Sequence, residues 1–85
     1  MNHSASSPQV SVIVPVYNEE ENVPILQAEL RAALRPIEHE FIFVDDGSAD
    51  HTVERIEPAP NLRVIRFEKN AGQSAAIYAG LQAAR

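Results

Sequence analysis

Three short polar clusters, each directly after an apolar segment, hold the side chains of this 85-residue chain that are best suited to binding chemistry. Their sequences are Tyr17-Asn18-Glu19, Asp45-Asp46-Gly47-Ser48 and Lys69-Asn70-Ala71-Gly72. Carboxylates accept hydrogen bonds from nucleobase N–H groups and ribose hydroxyls, and a tyrosine ring offers a face for stacking. Together, these clusters offer the chemistry of nucleoside recognition.

The adjacent carboxylates of Asp45 and Asp46 argue for a ligand most directly. Each cluster alone fits a structural role as a loop aromatic, a capped turn or a simple turn before a helix. Two like charges at the end of a buried strand, however, are costly through repulsion and desolvation, and a turn needs one of them. We therefore expect a ligand donor or a cation to offset the second carboxylate.

The apolar segments before the clusters have the patterns of strands. Nearly unbroken apolar runs predict strands over residues 10–16 and 41–44. A third strand is predicted over residues 62–67, which contain four apolar residues and two arginines. Pro15 belongs near the end of the first strand because proline donates no ladder hydrogen bond. Two arginines in the third strand indicate a partly exposed face or an edge.

Helical patterns follow the strands. Apolar spacing of three and four predicts a helix that begins after Asn22, which leaves Pro24 in the first turn, where a missing N–H does no harm. A short helix, capped by Ser48 or Asp50, follows the second strand. The last helix, residues 74–85, is alanine-rich and its small residues allow close packing on a sheet. The face predicted to pack there carries Ile77, Leu81 and Ala84.

Strands that alternate with helices at this spacing predict an α/β fold with a three-layer, mostly parallel sheet, in effect half of a Rossmann domain. Parallel strands end at the same edge of a sheet, and ligands of open α/β sheets bind there. We therefore expect the three clusters to meet. The chain lacks both Gly-x-Gly-x-x-Gly after the first strand and a phosphate loop ending in Lys-Ser/Thr. A diphosphate would then need a divalent cation held by further carboxylates.

Composition narrows the function classes. A net charge of −5 argues against nucleic-acid binding, and the absence of cysteine excludes disulfides and thiolate metal sites. His3, His39 and His51 are isolated and show no metal-ligand spacing. Residues 1–9 are polar and are expected to be a disordered lead-in to one domain, residues 10–85. With no run of roughly 18 apolar residues, the sequence predicts a cytoplasmic protein.

All three clusters resemble motifs of the family-2 inverting glycosyltransferases with the GT-A fold. The first-strand motif is similar to residues 12–19, VIVPVYNE, and the second-strand motif to residues 43–52, FVDDGSADHT. The third motif is similar to residues 70–76, NAGQSAA, in the form typical of the polyprenyl-phosphate branch, which includes dolichol-phosphate mannosyltransferases. The resemblance covers nearly all of residues 10–85 and implies the N-terminal, nucleotide-sugar-binding part of such an enzyme.

The resemblance also implies roles for individual residues. Tyr17 and Pro15 would line the base pocket, Glu19 would contact the nucleoside, Asp45 would bond to the base, and Asp46 would support the loop or the ribose. A wall near the diphosphate would be formed by Asn70, Gly72 and Gln73.

The full enzyme implied by the resemblance would transfer a sugar, with inversion, from a UDP- or GDP-sugar to an acceptor. A polyprenyl phosphate acceptor would place the enzyme at the cytoplasmic membrane face. Mg²⁺ or Mn²⁺ is expected for the complete enzyme, held by an Asp-x-Asp motif that, like the catalytic base, would lie beyond Arg85. The resemblance therefore implies that this chain holds no metal itself, binds nucleotide weakly and does not turn over.

Two other functions fit parts of the sequence. A receiver-like signalling domain also gathers carboxylates at strand ends, but it pairs them after the first strand. A non-catalytic interaction module would use the third strand, whose exposed edge could support self-association.

Overall fold

A computed structural model of the chain describes residues 9–84, which form an α/β fold. The elements, in chain order, are β1 (Val10–Val16), α1 (Val23–Leu34), β2 (His39–Asp45), a 3₁₀ turn (Val53–Arg55), β3 (Leu62–Arg66) and α2 (Gln73–Ala83). Of the disordered lead-in predicted for residues 1–9, residues 1–8 lie outside the described residues. Gln9 already donates a backbone hydrogen bond of 2.9 Å to the Glu38 carbonyl.

The three strands form one parallel sheet in the order β1-β2-β3, as the alternating pattern predicted. β2 lies in the centre, and its residues from Phe41 to Val44 are at most 3% exposed, which explains their unbroken apolar sequence. β3 lies at an edge, where Val64 is 40% exposed. The edge position predicted from its two arginines is confirmed.

Helices cover both faces of the sheet and give the fold three layers. On the α1 face, the buried cluster consists of Val14, Val16, Val23, Phe41, Phe43 and Ile56. On the α2 face, Ile42, Val44 and Ala76 are buried and Ile13 packs against them. Alternate residues of each strand thus serve opposite cores, since successive strand side chains point to opposite faces.

The beginning of α1 was predicted correctly, but not the role of the residue before it. The helix starts directly after Asn22, with Pro24 in its first turn. The Asn22 side chain does not cap the helix, however, because its amide donates instead to Glu19 Oε1 at 3.0 Å. Where a short helix was predicted after β2, the structure has a single 3₁₀ turn.

Of the face predicted to pack on the sheet, Ala84 does pack against the core, but the prediction was wrong for Ile77 and Leu81. Ile77 and Leu81 are 39% and 60% exposed, whereas Ala76 and Gly80 are fully or nearly fully buried. The helix lies so close to β1 that a Cβ built on Gly80 would overlap the Ile13 side chain. Only the smallest residues fit there, so α2 turns its larger side chains outward. Close packing through small residues was itself predicted correctly.

No helix within residues 9–84 combines the length and the apolar character needed to cross a membrane.

Candidate functional site

A cavity of about 360 Å³ opens at the carboxyl edge of the sheet, where the three polar clusters meet. It is lined by Pro15, Val16, Tyr17, Glu19, Asp46, Asn70, Gly72 and Gln73. Every site residue predicted from the sequence except Asp45 belongs to this lining, and Val16 joins it. The predicted convergence of the three loops is therefore present in the structure, whereas their role in nucleotide binding stays a prediction.

The loop after β1 supplies the aromatic and one acidic side of the cavity. Tyr17 follows the strand directly and is 46% exposed. Asn18 then adopts a left-handed conformation with φ of 52°, which asparagine tolerates better than most residues. Its N–H donates to Ser48 Oγ, and its Oδ1 accepts from the Ala49 N–H, both at 2.8 Å. This reciprocal pair joins the β1 loop to the loop after β2.

The Asp45 carboxylate is fully buried and closes the turn after β2 instead of facing the cavity. It accepts hydrogen bonds from the Ser48 N–H at 3.1 Å and from the Ser48 hydroxyl. The Arg66 guanidinium lies 3.9 Å from the same carboxylate and offsets its charge from β3. The structure therefore gives Asp45 a structural environment.

The Asp46 carboxylate lines the cavity and ties it to the loop before α2. It accepts from the Ala71 N–H at 2.7 Å, the Gly72 N–H at 3.0 Å and the Asn70 side-chain amide at 3.1 Å. The residue is 5% exposed and lies beside the first turn of α2, whose partial positive charge favours a carboxylate.

A ligand or cation is therefore not required to offset the second carboxylate, and whether a ligand contacts Asp46 stays a prediction. The two carboxylates accept from different donors, and the chain itself provides these donors. Among residues 9–84, every buried side-chain nitrogen and oxygen atom has a hydrogen-bond partner. The donors to Asp45 come from Ser48, three residues further along the chain. The donors to Asp46 lie 24 to 26 residues away, on Asn70, Ala71 and Gly72, where no local sequence pattern reveals them.

Gly47 allows the turn after β2 to touch the loop before α2. Its φ is +80°, and a Cβ built on it would lie 2.6 Å from both Asn70 N and the Lys69 carbonyl carbon. Two backbone segments therefore meet at a position that only glycine accommodates. This contact holds the second and third loops at the spacing that forms the cavity.

A second set of contacts joins the β1 loop to Asp50 and Thr52 of the segment after β2. The Glu19 N–H donates to Thr52 Oγ1 at 2.8 Å, and the Glu20 N–H donates to Asp50 Oδ2 at 3.3 Å. Burial acts to raise the pKa of Asp50, but the hydrogen bonds from Thr52 and Glu20 outweigh it and lower the pKa below its ordinary value of 3.8. From the sequence, Asp50 was expected only as a helix cap, and its link to the β1 loop was not predicted.

The described residues, 9–84, bring no group of three or more His, Asp or Glu side chains together in a way that could hold a metal ion. His39 Nδ1 lies 2.6 Å from the Ile37 carbonyl oxygen at the opposite end of the sheet, and His51 is exposed. The Asp46 oxygens already accept three N–H donors.

Comparison with known protein families gives a match to glycosyl transferase family 2 over residues 11–85. The chain is 43% identical over 82 residues to the undecaprenyl-phosphate 4-deoxy-4-formamido-L-arabinose transferase of Pectobacterium carotovorum, covering 88% of this chain and 25% of that protein. The protein of the same name from Yersinia enterocolitica is 38% identical over an alignment of 87 positions, which covers 94% of this chain and 27% of the relative. The chain thus spans about a quarter of the length of the curated relatives it matches.

A solved structure shares the fold. The mannosyltransferase PcManGT from Pyrobaculum calidifontis, in complex with GDP-Man and Mn²⁺, superimposes with a TM-score of 0.71 and 27% sequence identity. The superposition covers 92% of this chain and 25% of that one. It confirms the α/β fold predicted from the strand–helix alternation.

Proposed function

The chain belongs to glycosyltransferase family 2, and we propose that its carboxyl-edge cavity binds the nucleoside of a nucleotide-sugar donor. The observation that carries the proposal is the convergence of Tyr17, Glu19 and Asp46 on one cavity of about 360 Å³. An aromatic face, two carboxylates and an apolar floor supplied by Pro15 suit a base and a ribose. Family membership removes the receiver-like alternative, which requires a different domain family.

The proposal assigns the base contact to Asp46 in place of Asp45, because Asp46 lines the cavity and Asp45 is buried beneath the turn. A carboxylate has about four lone-pair sites, and Asp46 uses three of them for Asn70, Ala71 and Gly72. One site remains for a base N–H or a ribose hydroxyl. The half-exposed Tyr17 ring supplies the stacking face, and Glu19 accepts from the nucleoside.

The diphosphate is assigned to the side of the cavity formed by Asn70, Gly72 and Gln73. Gln73 is the first residue of α2, so the positive end of this helix lies at that wall. The described residues do not provide a ligand set for a metal ion. We therefore place the Mg²⁺ or Mn²⁺ ion, which would neutralise the leaving diphosphate, on residues of the complete enzyme outside this chain.

For the whole enzyme we propose transfer of a sugar from a UDP- or GDP-sugar to a polyprenyl phosphate, with inversion. Support for this acceptor comes from the relatives, which are named as undecaprenyl-phosphate transferases. Support for a nucleotide sugar comes from the structural neighbour, which was solved with GDP-Man. A lipid-linked acceptor would place the reaction at the cytoplasmic membrane face.

Calorimetric titration of the chain with UDP and with GDP tests the proposal. We expect one nucleotide to release heat, and Tyr17→Ala to weaken its binding by about 1–3 kcal/mol, the contribution of one base stacked on an aromatic ring. Tyr78→Ala is the matched control, because Tyr78 is 63% exposed on α2 and lies outside the cavity lining. If neither nucleotide gives heat, the proposal fails and a non-catalytic interaction module, with self-association through the β3 edge, becomes the better account.

A further inference from the structure

The β1 loop, residues 17–22, is held in place by side chains of the loop after β2. Three successive backbone N–H groups of the β1 loop each donate to a different side chain there. The pairs are Asn18 to Ser48 at 2.8 Å, Glu19 to Thr52 at 2.8 Å and Glu20 to Asp50 at 3.3 Å. The conformation of the β1 loop therefore depends on residues about thirty positions further along the chain.

Thr52 is the most buried member of this set. Its side chain is 0% exposed, and it lies outside the cavity lining, so it would not touch a bound nucleotide. Its hydroxyl accepts from the Glu19 N–H and donates to the Asp50 carboxylate. Asp50 also accepts from the Thr52 N–H at 2.9 Å. The Thr52 hydroxyl thus both donates and accepts a hydrogen bond, and the bond that it accepts comes from the backbone of Glu19, which lines the cavity.

If Thr52 served only to form the turn after β2, its contacts with Asp50 would be explained but its hydrogen bond to Glu19 would not. The contacts between Asp50 and Thr52 are local and would form the turn without Glu19. The bond from Thr52 to Glu19 instead joins residues 33 positions apart, and Glu19 together with Tyr17 forms one side of the cavity. Moving the Glu19 backbone would displace Glu19 and Tyr17, two of the three side chains proposed to face the nucleoside.

We propose that Thr52, held by Asp50, is a positioning residue for nucleotide binding that places Tyr17 and Glu19 through its hydrogen bond to the Glu19 backbone. This inference rests on the proposed function of the cavity. Without the hydroxyl, the Glu19 N–H loses its partner and the loop samples other arrangements. The apparent affinity for nucleotide then falls in proportion to the fraction of molecules that keep the binding arrangement.

The test compares Thr52→Val, which has a similar shape but no hydroxyl, with Thr52→Ser, which keeps the hydroxyl. We expect nucleotide binding to Thr52→Val to weaken by roughly tenfold as the competent arrangement becomes a minor population, and Thr52→Ser to stay near wild type. Amide hydrogen exchange should accelerate at Glu19 in the Val variant and leave the β2 amides protected. If the Val variant does not fold, Asp50→Asn tests the same link, and an unchanged affinity in that variant contradicts the inference.

Gln27→Met provides the control for a general loss of stability. Gln27 is 3% exposed, and its side chain bonds to both the N–H and the C=O of Glu57; neither residue belongs to the cavity lining. This variant should be less stable and bind nucleotide as wild type does. Equal weakening in Gln27→Met and Thr52→Val, or equal affinity of the Val variant and wild type, would overturn the inference. Absence of binding by the unmodified chain would instead refute the proposed function, and this inference with it.

Discussion

Two glycines with left-handed backbones make it possible to measure how much the contact between the second and third loops contributes to stability. Gly47 has φ of +80° and Gly72 has φ of +101°, so alanine is strained at both positions. They differ in their surroundings. A Cβ on Gly47 would lie 2.6 Å from the backbone at Asn70 and Lys69, whereas a Cβ on Gly72 has no atom within 4 Å.

The expected magnitudes follow from these two terms. Strain alone should make Gly72→Ala less stable by about 1–3 kcal/mol. Gly47→Ala adds a clash with backbone that no side-chain rotation relieves, and overpacking of this kind costs about another 1–3 kcal/mol. With equal strain at the two positions, Gly47→Ala should lower the free energy of unfolding by about 1–3 kcal/mol more than Gly72→Ala does. Each kcal/mol corresponds to roughly 4–8 °C in Tm for a domain of this size.

Urea denaturation followed by circular dichroism gives the free energy of unfolding of both variants and of the wild type. Because Gly47 lies against the residues that hold Asp46, Gly47→Ala should also weaken nucleotide binding. Equal destabilisation by the two substitutions, or a milder effect at Gly47, would refute the close contact between the two loops.

Two further predictions concern α2 and Asp50. Leu81→Ser should change the free energy of unfolding by no more than about 0.5 kcal/mol because Leu81 is 60% exposed, whereas Ala76→Leu should lower it by about 1–3 kcal/mol by overpacking the contact with the sheet. Chemical denaturation of both variants measures these effects. A larger effect for Leu81→Ser than for Ala76→Leu would support the packed face predicted from the sequence. The lowered pKa of Asp50 means that its contribution to stability is present above its ordinary value of 3.8 and is lost as pH falls through the lower folded value. The free energy of unfolding should therefore fall less steeply with decreasing pH in Asp50→Asn than in wild type. The neighbouring titratable residues Glu20 and His51 are unchanged in this variant. The same dependence on pH in both proteins would contradict the lowered pKa of Asp50.

The sequence predicted the elements whose patterns are local. β2 is buried on both faces and therefore has an unbroken apolar run, and the arginines of β3 indicated an edge. The meeting of the polar clusters followed from a general property of parallel sheets. Each of these inferences needs only the residues of one segment or the topology of the fold.

Other features depend on distances that no local pattern contains. The face of α2 could not be read from an alanine-rich sequence, since it is set by how closely Gly80 approaches Ile13. Which of Asp45 and Asp46 faces the cavity likewise depends on tertiary contacts: the Arg66 guanidinium lies 3.9 Å from Asp45, and the Ala71 N–H donates to Asp46. Residue size suggested Ile77 and Leu81 for the packed face of α2, which the tertiary structure reverses. Charge suggested that the paired carboxylates require a ligand, whereas the chain itself supplies donors to both.

A titration of the isotope-labelled chain with UDP and GDP, followed by amide chemical shifts, tests the central claim most directly. The account predicts that one nucleotide shifts the amides of Tyr17, Glu19, Asp46, Gly72 and Gln73, which surround the cavity. Amides at the opposite end of the sheet, such as those of residues 38–39 and 61, should not move. Shifts confined to that opposite end, or none with either nucleotide at millimolar concentration, would contradict the assignment of the cavity as the nucleotide site.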